Sequence, residues 1–63
     1  MYKLSEVIAI IQENQVFKAY FADTYWYITK SVDFIRYCNK DGIPYDTILL
    51  TPSNLRAKYE FIK

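Results

Sequence analysis

Cys38 is the only thiol in this chain, and cations stand two residues to either side of it, Arg36 and Lys40. On a β-strand, positions 36, 38 and 40 share a face. Both charges would then lie beside the sulfur and favour the thiolate, the nucleophilic form of cysteine. The competing reading is a small buried hydrophobe, the commoner state of a free cysteine. Asp41 and Asp46 flank the only glycine, Gly42. Aspartates beside a turn more often hydrogen-bond their own backbone than act as a catalytic or metal-binding pair. The chain has no histidine, which removes the imidazole base of Ser-His and Cys-His nucleophile pairs. It has no phosphate-cradling glycine loop and no carboxylate pair suited to glycoside hydrolysis. A cysteine-based zinc site needs about four ligands, and one thiol without imidazoles cannot supply them. The sequence therefore predicts a protein that binds rather than catalyses, with no cofactor and no metal.

The chemistry that remains is that of rings and cations. Aromatic residues make up 19 % of the chain: seven tyrosines, four phenylalanines and one tryptophan. The stretch "FADTYWYITK" over residues 21–30 alone holds Phe21, Tyr25, Trp26 and Tyr27. In an alternating strand, Trp26 and Ile28 face one way and Tyr25 and Tyr27 the other. In the preceding "VFKAYF", Phe17, Ala19 and Phe21 oppose Lys18 and Tyr20. One helix covers only one face of a sheet, so the other keeps its tyrosines. The predicted binding residues are Lys18, Tyr20, Tyr25, Tyr27 and Arg36. Rings interleaved with cations suit stacking on bases while charge holds phosphate. They also suit a protein interface, where tyrosine and arginine serve as anchors. A third reading is plain sheet propensity, since tyrosines pack well across strands on a solvated face.

These residues have to be positioned by a short list of elements. Leu4, Val7, Ile8 and Ile11 fall at i, i+3, i+4 and i+7, which predicts an amphipathic helix over 5–13. Ser5 is its expected cap, Glu6 favours its positive end, and Asn14 is its expected stop. From Val16 the period changes to two. Strands are predicted over 16–21 and 24–29, joined at Ala22-Asp23, with the next break at Lys30-Ser31. The segment "SVDFIRYCNKDG" fits two structures. One is a helix capped by Ser31 and ended by Gly42, with Val32, Ile35 and Cys38 on one side. The other is a strand over 34–38 with a turn at Lys40-Asp41-Gly42, which the β-branched and aromatic content favours. Pro44 marks an edge or the start of a strand, and 46–50 are expected as that fourth strand. Thr51-Pro52 opens a helical turn over 52–57, and "KYEFI" over 58–62 alternates as the last strand. The predicted fold class is α+β in a single domain over 1–63. One N-terminal helix packs on an antiparallel sheet of about five strands, with a short helical turn before the last.

Charge and length bound the partners. Eight basic residues against seven acidic ones leave a net charge of +1, which argues against non-specific duplex DNA binding. The longest apolar run, Val7–Ile11, is far short of the roughly 20 residues that span a bilayer. Glu6, Gln12 and Glu13 flank it, and no small-residue cleavage site follows, so it does not read as a secretory signal. With an unpaired cysteine, these features predict no membrane association and a cytoplasmic location. A domain near this length buries only about 60 % of its unfolded surface. One cysteine permits no internal disulfide. Self-association and heavy rings in the core are the supports left, so a homo-oligomer is predicted.

Several stretches together carry a resemblance. A leading helix "LSEVIAIIQEN" is followed by strands "VFKAYF" and "TYWYI", and "LLTPSNLRAKYEFI" closes the chain. The whole pattern is similar to small bacteriophage proteins and resembles the Thoeris anti-defence two family over nearly the full length. The resemblance implies a compact, sheet-rich, oligomeric protein that sequesters a cyclic nucleotide signal of bacterial immunity without cleaving it. Members of that family carry a Trp- and Gly-rich loop after the first strand, where this chain has Phe21-Ala22-Asp23-Thr24. They often have Asp-Trp where it has Lys58-Tyr59. Leu55, Ala57 and the ring of Tyr59 match, and all three read as packing positions. The resulting expectation is a phage-type anti-defence binder that holds a nucleotide-derived signal on its aromatic and basic face, in the host cytoplasm. The alternatives are a protein-binding inhibitor of a host factor or CRISPR effector, and a small oligomeric structural or accessory phage protein.

Overall fold

The computed structural model describes residues 1–63. Its elements are α1 (Leu4–Ile10), β1 (Val16–Phe21), β2 (Thr24–Ser31), β3 (Phe34–Cys38), β4 (Pro44–Thr47), α2 (Pro52–Arg56) and β5 (Lys58–Phe61). The five strands form one antiparallel sheet in the order β4-β3-β2-β1-β5. The first four strands meander. The chain then crosses by α2 to lay β5 on the far side of β1. The fold is α+β, as the periodicity predicts, and 34–38 is a strand.

The core sits between α1 and one sheet face. Leu4, Val7 and Ile11 from the helix meet Phe17, Ala19, Ile28, Ala57 and Tyr59, while Phe21, Trp26, Ile35, Tyr37 and Ile48 pack around them. Each large side chain taken fully from water contributes roughly 1.5–3 kcal/mol. That packing holds α1, whose seven residues fall below the ~12–15 at which an isolated helix becomes even marginal. Leu4 is buried and must lie inside the helix to reach the core. The N-cap is therefore Lys3 rather than the expected Ser5, and the Glu6 carboxylate accepts from the Lys3 N–H at 2.8 Å. The helix stops earlier than predicted, at Ile10, because Ile11 turns extended. Asn14 does take a left-handed φ of 68°, but it does so in the turn into β1, donating its N–H to the Lys30 carbonyl at 2.8 Å.

Three boundaries differ from expectation. β2 runs through the predicted Lys30-Ser31 break, and the turn falls on Val32-Asp33, with Ser31 paired to Phe34. β4 covers 44–47 instead of 46–50. The Asn39 side chain accepts from the N–H groups of Asp41 and Ile43 at 2.9 and 3.1 Å. A register shift then brings Pro44 opposite Cys38, so pairing starts earlier and Leu49 and Leu50 leave the sheet. β5 ends one residue short, at Phe61, although the Ile62 N–H still reaches the Val16 carbonyl at 2.8 Å.

The opposite sheet face has its own small buried patch of Val16, Thr29 and Cys38. Gly42 closes on it. A Cβ added there would stand 2.9 Å from Val16 Cγ2, and its φ is +86°. Both sheet edges are guarded against strand addition. Tyr2 bridges β5 through paired 2.8 Å bonds with Tyr59. At the β4 edge, Pro44 has no N–H and the Thr47 N–H is taken by the Asp46 carboxylate at 2.9 Å. The accessible surface is 4275 Å², against about 4,300 Å² expected for a monomer of this mass. The chain is thus as compact as an ordinary monomer. No helix is long and apolar enough to cross a membrane.

Candidate binding faces

Four of the predicted binding residues come together. The β1–β2 register sets Lys18 opposite Tyr27 and Tyr20 opposite Tyr25, and alternation points all four away from α1. The Lys18 ammonium lies 4.2 Å from the ring centroid of Tyr25, 5.1 Å from that of Tyr20 and 5.7 Å from that of Tyr27. All three are within the ~6 Å at which a cation feels a ring quadrupole. Tyr25 and Tyr27 meet edge to face at 6.0 Å and 81°. Tyr20 donates its hydroxyl to Glu60 Oε1 at 2.7 Å, and Glu60 sits on β5 directly across from Lys18. The result is a collar of three tyrosines around one lysine, with a carboxylate pinning one ring.

Electrostatics act on two members of the collar, Lys18 and Tyr20. Partial desolvation works to lower the Lys18 pKa, but the oxygens of Tyr20, Tyr27 and Tyr25 together outweigh it and leave the ammonium above its ordinary value. Tyr20 is also raised, first by its hydrogen bond to Glu60, then by desolvation and the Glu60 charge. Both shifts favour the form each group has at neutral pH, the Lys18 ammonium and the neutral Tyr20 phenol.

Arg36 does not join this group. It lies on the same sheet face but on β3, where its pairing partner is Thr29. Its guanidinium carbon stands 5.6 Å over the Phe34 ring. Nε donates to the Ser31 carbonyl at 3.2 Å and Nη1 to the Thr47 hydroxyl at 3.4 Å. The structure thus divides the predicted binding face into two places.

Cys38, 3 % exposed, is not an activated thiol. Burial pushes it up to about 11, and the only cation acting on it, Lys63, pulls the other way without prevailing. The flanking cations of the sequence do not set its state; burial does. Asp46 caps the Thr47 N–H, and it is Asn39 that organises the turn at Gly42. No three metal-binding side chains stand close enough to hold an ion.

Asn54 is the residue that sequence reasoning missed. It is 1 % exposed and gathers the polar ends of three aromatic residues. Its Oδ1 accepts from Trp26 Nε1 at 2.9 Å and from the Tyr59 hydroxyl at 3.3 Å. Its Nδ2 donates to the Tyr37 hydroxyl at 2.8 Å and to the Leu49 carbonyl at 2.7 Å. Its own carbonyl takes the Tyr59 hydroxyl at 2.8 Å, and its N–H donates to the Thr51 cap at 3.1 Å. Thr51-Pro52, read as the start of α2, was the one available signal. Ala57 and Tyr59 pack in the core as read, whereas Leu55 is exposed. Much ring and aliphatic surface stays outside as well, including Tyr25, Phe34, Tyr45, Leu49, Leu50 and Phe61.

No family model matches the chain, and no curated protein or solved structure matches it either.

Proposed function

We propose that this chain is a small non-enzymatic binding protein that docks on another protein through Lys18 and its collar of Tyr20, Tyr25 and Tyr27. The observation that carries this reading is the place of the Lys18 ammonium, 4.2 Å above the Tyr25 ring. A base stacking there would compete with the protein's own cation for the ring face. A partner protein needs no such face. It meets ring edges, hydroxyls and a fixed charge, the composition of an interface anchor. Tyrosines already held in place lose little freedom when bound. Small-molecule sites are concave, and the one cavity of this structure lies at Arg36 instead. The test immobilises the native chain beside Tyr25→Ala and Lys18→Ala variants in host lysate. A partner held by the native chain and lost by both variants supports the proposal. No partner, or one held equally by all three, removes it.

A second reading places a nucleotide-derived immune signal on the same collar, in keeping with the resemblance to the Thoeris anti-defence two family. Lys18 favours it, because an ammonium held above its ordinary value stays charged at any physiological pH and can pair with phosphate. Calorimetry against a panel of cyclic oligonucleotides separates the two readings. Saturable heat lost in Lys18→Ala supports sequestration, and silence across the panel retires it. Exposed Leu49, Leu50 and Phe61 support self-association as part of either reading. A monomeric mass by sedimentation at tens of micromolar would remove that part.

A further inference from the structure

We propose that a second copy of this chain covers the β4 edge of the sheet, across a two-fold axis, through an apolar patch of Val32, Phe34, Tyr45, Leu49 and Leu50. The inference rests on the self-association already proposed and gives it a surface. β4 is exposed at all four positions, and no strand lies beyond it in the sheet. The chain around it is nevertheless apolar. Tyr45, Leu49 and Leu50 are 70, 64 and 72 % exposed, and Val32 and Phe34 of the adjoining hairpin 71 and 57 %. These side chains are neighbours. Val32 and Tyr45 line one cleft. The Ile48 N–H reaches the Ile35 carbonyl at 3.0 Å, which continues the Arg36-Thr47 register and brings Leu49 alongside Phe34.

The area matches what a stable dimer needs. A bare large side chain presents roughly 150–250 Å², so the five exposed fractions come to on the order of 600 Å². That is as large as the largest apolar patch of a typical monomer. A standard interface takes roughly 800 Å² from each partner, a little over half of it apolar. Charge allows the partner to be a copy. The net charge of +1 sets up little repulsion between two chains. The patch is rimmed by both signs, Asp33 in the hairpin turn and Arg36 on β3, and the two hydrogen bonds of Arg36 go to neutral acceptors. A two-fold axis sets the patch against itself, so each Arg36 meets an edge that also carries Asp33. The contact is made by side chains rather than by strand addition, because Pro44 has no N–H and the Thr47 N–H is taken by Asp46.

Sedimentation equilibrium of the whole chain at tens of micromolar is the test, with NMR shifts compared between dilute and concentrated native chain. The native chain should run as a dimer. Its concentration-dependent shifts should fall on the amides of 32–36 and 44–50 and spare Lys18, Tyr20 and Tyr25. Tyr45→Asp and Leu50→Asp, at exposed positions, should weaken dimerisation about tenfold or more. Leu55→Asp and Lys18→Ala should dimerise as the native chain does. A monomeric native chain removes this interface together with the self-association it rests on. A dimer that survives both Tyr45→Asp and Leu50→Asp, that is lost in Leu55→Asp, or whose shifts fall elsewhere overturns the interface and leaves self-association standing. An open-ended series of masses overturns the two-fold closure. The native-chain shifts decide the matter should a charged variant fail to fold.

Discussion

The indole N–H of Trp26 donates to Asn54 Oδ1 at 2.9 Å, across 28 positions of sequence. That bond ties the aromatic strand β2 to α2. Tyr37 and Tyr59 join through the same amide, so strands from both sides of the sheet converge on one side chain. No buried side-chain polar atom in the structure lacks a partner. The ring-rich sequence is therefore partly explained by architecture, because tryptophan and tyrosine fill core volume while their polar tips need acceptors and donors.

Asn54→Ala should lower stability by about 2–4 kcal/mol, since it orphans an indole N–H, a phenol and a carbonyl in low-dielectric surroundings. Trp26→Phe removes one donor and leaves Asn54 Oδ1 still served by Tyr59. It should cost about 1 kcal/mol from the lost hydrogen bond. Urea denaturation of both variants measures the pair. Equal losses would mean that the network is not the stabilising unit.

The period switch after Asn14 made β1 and β2 legible, and with them the grouping of Lys18, Tyr20, Tyr25 and Tyr27, because alternation fixes which face a residue takes. Arg36 was placed on the correct face but in the wrong company. The stagger between β2 and β3, which pairs it with Thr29, is set by the Val32-Asp33 turn rather than by any local pattern. Cys38 is the small buried hydrophobe that a lone cysteine more commonly is, and burial outweighs the cations that its sequence neighbours offered. Asn54 showed only through the Thr51-Pro52 helix start, because a polar residue in a short helical turn ordinarily faces water, and its partners Trp26 and Tyr37 lie 28 and 17 positions away.

Val32 and Asp33 both have positive φ, 52° and 66°, the backbone of a type I′ hairpin that favours Asn-Gly. A β-branched residue in that region is strained. Val32 is 71 % exposed, so replacing it removes no core contact. Val32→Asn with Asp33→Gly should gain about 1 kcal/mol, which in a domain of this size raises the thermal midpoint by roughly 4–8 °C. Its backbone N–H to Glu13 is retained. A scanning calorimeter reads the shift, and a lower midpoint would mean that the turn is not strained.

Gly42→Ala should act in the other direction. The new methyl would meet Val16 Cγ2 at 2.9 Å, at a φ of +86°, and Val16 is buried and short, so it has nowhere to swing. A loss of about 1–3 kcal/mol is expected from left-handed backbone strain and the clash. Amide exchange should quicken first across 39–43. Unchanged protection there would show that the turn can shift at little cost.

Alkali should unfold the chain from the inside. Burial raises the Cys38 thiol from 9.0 to about 11. Tyr59 goes from 10.0 to about 12, through burial first and then the neighbouring Tyr37. Both groups are neutral when protonated, and the unfolded chain releases these protons at lower pH than the fold does. Their contribution to stability is complete below pH 9 and falls as pH rises through 11 and 12, because the unfolded state then binds fewer protons. Thermal midpoints should therefore decline above pH 9 in the native chain. In Cys38→Ala the decline should begin nearer pH 10, where Tyr59 takes over. Identical profiles would mean that the thiol is not desolvated.

Lys18→Met keeps a flexible chain against the tyrosines and deletes the charge. Lys18 now lowers the Tyr20 pKa, opposing the hydrogen bond and charge of Glu60 that raise it. Without the ammonium, Tyr20 should titrate higher still. Tyr59, buried on the opposite side of the sheet, should not move. Carbon-13 NMR of labelled tyrosine rings resolves the two. The thermal midpoint should barely change, since an exposed cation over rings is worth little to the fold once solvent screens it. If Tyr20 stayed put while the midpoint collapsed, the lysine would be a structural strut, and the collar would lose its standing as a surface kept for a partner.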